Sequence, residues 1–360
     1  MKKLKVLHIV SQLSTGGIET WLLNVWRKID RDCIEFHFLT SSINKGIYDD
    51  EVISLGGVIY YFPITKNPLV LYSRLEKIVK EAGIDIIHSH VYTFGSIYSI
   101  IGRLLKTPVI VHSHTTRPPI GFLKIVYFRV ASSLINLFAT KKLACTSEAG
   151  RALFRNAAFN IIWYGVDSSR FHPKLDVQVP AEFNIPHDVK VIGHVGRFLD
   201  VKNQEFILNV ASQMPNGFLF VLIGAGPDKD KIANMAFKRK LSNVRILEPM
   251  TDVNVLFSRL FDLLILPSKF EGLGIVALEA QSAGIPVIVS ENVPEDANVI
   301  EDLFYKLPLS SIDLWVNEIK RIKKPSEEIR IRYNEMFSKS QFSLSNSVKS
   351  LLSIYRSLAK

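Results

Sequence analysis

Short apolar runs of β type alternate along this chain with longer stretches in which apolar positions recur at three and four. The first set of runs is Lys5–Val10, Ile34–Leu39, Val58–Phe62, Asp85–Ile87, Val109–Val111, Leu143–Cys145 and Ile161–Trp163. Helical patterns at Ile18–Lys28, Leu69–Ala82, Ser96–Leu105 and Gly121–Phe138 lie between most of them. Such alternation predicts a parallel sheet wound on both faces by helices. The rhythm lapses from about Asp167 to Asp188, where Pro173, Pro180 and Pro186 fall, and this reads as a linker. It then restarts with strands at Lys190–His194, Phe218–Ile223, Val244–Leu247, Leu263–Leu266 and Val287–Val289. Helices are expected near Asn203–Met214, Asp228–Arg239, Asp252–Leu260 and Ile275–Ala283. The expected class is α/β, with two Rossmann-like, doubly wound parallel-sheet domains at 1–167 and 189–342 joined by a linker at 168–188. A helix at about 343–360 is expected to pack back on the first domain.

Length agrees with two cores, since 360 residues at 48% apolar content exceed what one core usually organises. No window is apolar and uncharged for long enough to span a bilayer. The opening Met-Lys-Lys-Leu-Lys runs straight into a strand rather than a signal-peptide apolar region. A cytoplasmic protein is therefore expected, with Cys33 and Cys145 as isolated thiols outside any metal or redox spacing. The net charge of +10 calls for a polyanionic partner or surface. Nucleic acid is not expected, because the basic residues are scattered and form no aromatic-interleaved stripe.

Two open α/β sheets bind ligands at the carboxyl ends of their strands, and the chemistry-bearing residues cluster there. Ser11 to Gly17, SQLSTGG, follows the first strand, and Gly16 and Gly17 bring backbone N–H groups within reach of a phosphate or sugar. The motif is not G-x-G-x-x-G, which argues against a nicotinamide cofactor. His88-Ser89-His90 and His112-Ser113-His114 end the fourth and fifth strands. Histidines so placed without a neighbouring carboxylate make a poor metal site. In the second half, Gly196-Arg197 closes a strand and Lys202 precedes a helix, offering a planar fork and a mobile charge to a diphosphate. Asp228-Lys229-Asp230 imitates a metal-binding D-x-D but opens a helix, where acidic residues complement the dipole. No metal and no cofactor are expected. Glu271 and Glu279, eight residues apart in PSKFEGLGIVALEAQSAGIP, bracket a helix N-terminus whose backbone N–H groups, from Gly272, Leu273 and Gly274, can face a phosphate.

This last segment resembles the E-x7-E signature of retaining family 4 glycosyltransferases, which have the GT-B architecture. Gly272, Gly284 and Pro286 match as well. GRFLDVKN resembles that family's phosphate-binding element, and Gly224 to Pro227 its G-x-G-P turn. The resemblance spans most of the chain and is strongest to bacterial capsular and exopolysaccharide enzymes. It implies a metal-independent, retaining transfer from a UDP- or GDP-linked sugar to a glycan or lipid-diphosphate-linked acceptor. Arg197 and Lys202 would hold the diphosphate, Glu279 the ribose and Glu271 the transferred sugar. The resemblance carries a functional histidine onto His114. His88, His90 and His112 are acceptor-side candidates. Tyr164, where Asn is common in the family, and Gly274-Ile275, in place of a frequent Pro, depart from the pattern. A nucleotide-sugar epimerase and a non-catalytic nucleotide-binding subunit are the competing readings. The segment from Arg117 to Lys142, apolar nearly all round with Lys124 and Arg129 among its few charges, is further expected to meet an anionic membrane surface.

Overall fold

The structure, a computed structural model, describes residues 3–359 except 15, 64, 66, 116–120, 176, 177, 179–182, 184, 187 and 251. Pro180 of the expected linker and Arg117 lie outside the described residues. The chain divides into two units, residues Met1–Gly165 with Leu344–Lys360, and Val166–Ser343.

In the first unit, β1 (Leu4–Val10), α1 (Gly17–Lys28), β2 (Ile34–Thr40), α2 (Asp49–Ser54), β3 (Val58–Tyr61), α3 (Pro68–Ala82) and β4 (Ile86–Ser89) follow in order. After them come α4 (Gly95–Leu105), β5 (Val109–Ser113), α5 (Phe122–Phe138), β6 (Lys141–Ala144), α6 (Ser147–Phe154) and β7 (Asn160–Ile161). Seven strands pair in the order β3-β2-β1-β4-β5-β6-β7. Every pair is parallel, and the order reverses between β1 and β4. Strands β4 and β5 are buried along their whole length, as expected of strands covered on both faces.

The second unit runs β8 (Lys190–Val195), α7 (Gln204–Ser212), β9 (Phe218–Ile223), α8 (Lys229–Lys238), β10 (Val244–Leu247), β11 (Leu263–Leu266), α9 (Ile275–Ser282), β12 (Val287–Ser290), β13 (Phe304–Leu307), α10 (Ile312–Arg321) and α11 (Glu327–Lys339). Its six parallel strands are ordered β10-β9-β8-β11-β12-β13, so its reversal lies between β8 and β11. The helix expected over Asp252–Leu260 is instead a five-residue π-helix, Leu256–Leu260, closed by Phe261 N–H donating to the Leu256 carbonyl at 2.7 Å. Ser168–Phe171, at the start of the segment read as a linker, forms a 3-10 turn whose Phe171 ring is buried against Phe257.

The last helix, α12 (Leu344–Leu358), belongs to the first unit. It buries Val348, Leu351 and Tyr355, and Ser347 Oγ accepts from Trp21 Nε1 at 3.0 Å while donating to the Trp163 carbonyl at 2.8 Å. Among the described residues no helix is long and apolar enough to cross a membrane.

Candidate active site

At the switch point of the first unit the parallel register sets His8 of β1 opposite His88 of β4. His90 and His114 lie one residue past β4 and β5, so five imidazoles converge on the carboxyl end of the sheet. They form two hydrogen-bonded chains. One runs from His8 Nδ1 to His90 Nε2 (3.0 Å), from His90 Nδ1 to His114 Nε2 (2.9 Å), and from His114 Nδ1 to the Tyr164 hydroxyl. The other joins the Tyr355 hydroxyl to His88 Nδ1 (2.7 Å) and His88 Nε2 to His112 Nδ1 (3.3 Å). Trp21 lies edge-on to His112 at 5.5 Å between centroids and stacks on Tyr164 at 5.2 Å.

Burial is the leading reason that every member stays neutral. Loss of water holds His8, His88, His112 and His114 well below the ordinary imidazole value, with neighbouring imidazoles adding to the effect, and holds His90 at about 3. The Tyr164 and Tyr355 phenols are pushed well above 10 by the same cause, so both remain O–H groups. Two triads, His8/His88/His90 and His90/His112/His114, have ring nitrogens within 4.8 Å of one another. His90 is common to both, and its two nitrogens are already taken by His8 and His114. The rings thus pass hydrogen bonds to one another through His90 and His88 and on to the two phenols, while the buried Nε2 atoms of His8 and His112 have no partner among the described residues.

The Gly16–Gly17 turn opens α1. A Cβ at Gly16 would fall 2.3 Å from Glu19 Oε2, so the Glu19 carboxylate folds over this helix end, and a side chain there would push it aside. An anion already near the positive end of the dipole makes the turn a better partner for hydroxyls than for phosphate. Thr15, inside the same loop, lies outside the described residues.

In the second unit Arg197 follows β8, and its side chain is exposed, with no ion pair among the described residues. Lys202 ends a 3-10 turn, Asp200–Lys202. Its Nζ meets Glu271 Oε1 at 2.6 Å, and Ser268 Oγ donates to the same oxygen at 2.7 Å. Asn203 fastens the turn to the end of β11 by donating to the Pro267 carbonyl at 3.1 Å. The Gly224–Pro227 turn presses on this loop. Gly224 and Gly226 have φ of 152° and 153°, and a Cβ on them would fall 2.0 Å from the Gly196 carbonyl oxygen and 2.3 Å from that of Phe198.

Gly274, left-handed at φ 81°, turns the chain into α9, and Leu273 is buried beside it. Glu271 and Glu279 thus lie on either side of this helix start, joined by Gly272 to Gly274. Glu279 is 5% exposed, and burial pushes its carboxyl up to about 7, against a smaller opposing pull from Arg170. Asp228 and Asp230 stand at the opening of α8, whose Lys229 pairs with Glu248 at 2.5 Å.

The structure therefore collects His88, His90, His112 and His114 in one unit, and Arg197, Lys202, Glu271, Gly272 to Gly274 and Glu279 at the strand ends of the other. Sequence reasoning passed over His8, Tyr355, Ser268 and Glu19. His8 gave a signal, being the single imidazole inside the apolar run Val6–Val10 of the central strand.

Two family models match the chain, one described as Glycosyltransferase Family 4 over residues 15–170 and one as Glycosyl transferases group 1 over residues 178–336. Among curated relatives, EpsF of Bacillus subtilis (strain 168), described as a glycosyltransferase, is 32% identical over 98% of this chain and 96% of its own. The capsular polysaccharide biosynthesis glycosyltransferase CapH of Staphylococcus aureus is 24% identical over 93% of this chain and 95% of its own. Among solved structures, Anabaena HepE in complex with UDP-glucose superposes with a TM-score of 0.82 at 18% identity, covering 98% of this chain and 99% of that one.

Proposed function

Because this chain belongs to the family 4, group 1 glycosyltransferases of GT-B fold, we propose that it moves a sugar from a nucleotide-diphosphate sugar to a glycan or lipid-linked glycan. The setting is cell-surface polysaccharide synthesis at the cytoplasmic side of the membrane. Transfer is metal-independent and retains configuration at the anomeric carbon. CapH, similar along nearly its whole length, is named for capsular polysaccharide biosynthesis, and HepE was solved with UDP-glucose; both support this reading.

One observation carries the mechanism: the Lys202–Glu271 ion pair stands at the start of α9, with exposed Arg197 on the same Gly196–Lys202 loop as Lys202. A diphosphate arriving at this end draws Lys202 from Glu271 and engages the Arg197 fork and the N–H groups of Gly272 to Gly274. Glu271, released from Lys202, then accepts hydroxyl protons of the transferred sugar. Glu279 accepts from the ribose. As the C1–O bond breaks, negative charge grows on the β-phosphate and positive charge on the ring, so cations fixed on the leaving group lower the barrier. No carboxylate in this arrangement is an evident nucleophile, which favours attack from the face the diphosphate leaves. His114 has both nitrogens satisfied by His90 and Tyr164. It meets substrate by exchanging the Tyr164 hydroxyl for a sugar hydroxyl, one hydrogen bond for another.

Peripheral membrane contact belongs to the same reading. On α5 the side chains of Phe122, Leu123, Val130 and Leu137 are 79%, 81%, 53% and 73% exposed, with Lys124 and Arg129 exposed among them. That composition suits an interfacial helix on an anionic leaflet.

A thermal-shift panel of nucleotides and nucleotide sugars tests the assignment. A donor at a hundred times its dissociation constant should stabilise the protein by about 2.7 kcal/mol. The same donor, incubated with lipid-diphosphate sugar acceptors, should yield an extended acceptor. Silence of the whole panel would refute the reading, and release of an epimerised nucleotide sugar without acceptor would replace it with the epimerase.

A further inference from the structure

The loop that carries Arg197 is held from beneath by two buried polar side chains that the chemistry above does not use. His194, near the end of β8, is 0% exposed, and Gln204, the first residue of α7, is 2% exposed. An imidazole and an amide placed so deeply require hydrogen bonds to offset the water they lose. Theirs form one line. His194 Nδ1 lies 3.0 Å from the Ile265 carbonyl of β11, Gln204 Nε2 lies 3.3 Å from His194 Nε2, and the same amide nitrogen donates to the Arg197 carbonyl at 2.9 Å.

Every bond in this line has a forced direction. A carbonyl only accepts, so the proton of the neutral imidazole sits on Nδ1 and Nε2 presents a lone pair. The Arg197 carbonyl likewise requires the nitrogen of Gln204 rather than its oxygen, and the second hydrogen of that nitrogen meets the lone pair of the ring. Turning the amide over would set its oxygen against two acceptors. Protonating the ring would set N–H against N–H, and burial, which holds His194 at about 4, keeps it from that state.

Both ends of the line lead to donor-site residues. Gly196 rests on the ring, where an added Cβ would lie 3.5 Å from His194 Nε2 and 4.0 Å from Lys202 Cδ. On either side of Arg197, the N–H groups of Gly196 and Phe198 donate to the Ile223 and Ala225 carbonyls at 3.0 and 2.9 Å. The backbone around Arg197 is thus pinned while its guanidinium stays exposed. At the other end, Ile265 belongs to the strand that continues into Ser268 and Glu271. We propose that His194 and Gln204 are positioning residues for the leaving diphosphate, which fix the Arg197 carbonyl and through it the direction of the guanidinium, without touching substrate. The inference rests on the glycosyltransferase reading above.

The test is a double-mutant cycle on the full chain. Gln204→Met keeps the length of the side chain and removes both donors, and His194→Phe keeps a ring and removes the acceptor. Transfer from the nucleotide sugar that shifts the melting curve should lose about tenfold in kcat/KM in either variant, with acceptor KM unchanged. In an Arg197→Ala background the same changes should cost less than about twofold, because the group they aim is gone. A merely structural role would lower both backgrounds by the same factor. That additivity overturns the proposal, as does wild-type kcat/KM in either variant once its melting curve shows it folded. A measurement on the unaltered protein stands beside the variants: nitrogen-15 NMR should find the His194 proton on Nδ1, and a proton on Nε2 would break the line at Gln204 and overturn the proposal as well. If the unaltered protein binds no nucleotide and transfers no sugar, it is the glycosyltransferase reading that fails.

Discussion

Acid should dismantle the first unit before the second. His8, His88, His90, His112 and His114 all sit there, neutral and buried, and each binds a proton far less readily folded than unfolded. The sign follows from linkage: a group whose folded value lies below its unfolded one supports the fold above the unfolded value, near 6.5 for histidine, and loses that support as pH falls through it. Between pH 7.5 and 5.5 each such histidine should withdraw about 1 kcal/mol, so five withdraw on the order of 5 kcal/mol, comparable to a domain's whole stability. The second unit holds opposing groups. His194, held at about 4 by burial, behaves like the others, whereas Glu279, raised to about 7, binds its proton more readily folded and gains stability over the same interval. The two roughly cancel. Urea unfolding at pH 7.5, 6.5 and 5.5, followed by tryptophan fluorescence, isolates the effect, because Trp21, Trp26 and Trp163 belong to the first unit and only Trp315 to the second. The midpoint carried by the three tryptophans should fall steeply with pH while far-ultraviolet signal from the second unit persists. A midpoint independent of pH across this range, or earlier loss of the second unit, would refute the neutral-cluster argument.

Arg197→Ala and Lys202→Ala should each cost about 2–4 kcal/mol of transition-state stabilisation, read from kcat/KM, with melting curves near wild type for Arg197→Ala. The Lys202 change should also destabilise slightly, since it strips a partner from a largely buried Glu271. Glu279 ionises as pH rises through about 7, and an anion accepts ribose protons more strongly, so donor KM should fall several-fold from pH 6 to 8; Glu279→Gln should show a flat profile. Glu271→Ala should lower turnover more than it raises donor KM, and equal transfer rates would remove it from the reacting sugar. Cosedimentation with anionic liposomes should occur at low salt, weaken at high salt, and drop when Lys124 and Arg129 become Glu; indifference to lipid charge would discard the membrane contact.

The central strands and the motif loops were readable because burial on both faces leaves a nearly unbroken apolar run, as in Phe218–Ile223 and Leu263–Leu266, whose observed limits coincide with the reading. Short or edge elements were not. The β13 strand, Phe304–Leu307, has only four residues at the sheet edge and follows two 3-10 turns, and α2 spans six residues with three acidic ones in its first turn. The π-helix at Leu256–Leu260 was invisible to a 3.6-residue pattern for the evident reason that its period differs. At the site, local motifs found Arg197, Lys202, Glu271 and Glu279. Tyr355 escaped because its partner, His88, is 267 residues away, and no spacing rule reaches across such a distance.

That distance has a consequence for biosynthesis. A ribosome delivers Trp21 and His88 early, but Ser347 and Tyr355, which satisfy them, emerge only after the whole of the second unit. The second unit is continuous in the chain and has everything it needs while still being synthesised. The first must wait with a bare groove where α12 will lie, exposing the indole of Trp21 and a row of uncovered imidazoles to chaperones and to neighbouring nascent chains. Its completion is a late, long-range closure, slow for the same reason that distant contacts are slow to find. A premature stop before Leu344 would thus spare one half of the molecule and leave the other permanently unfinished.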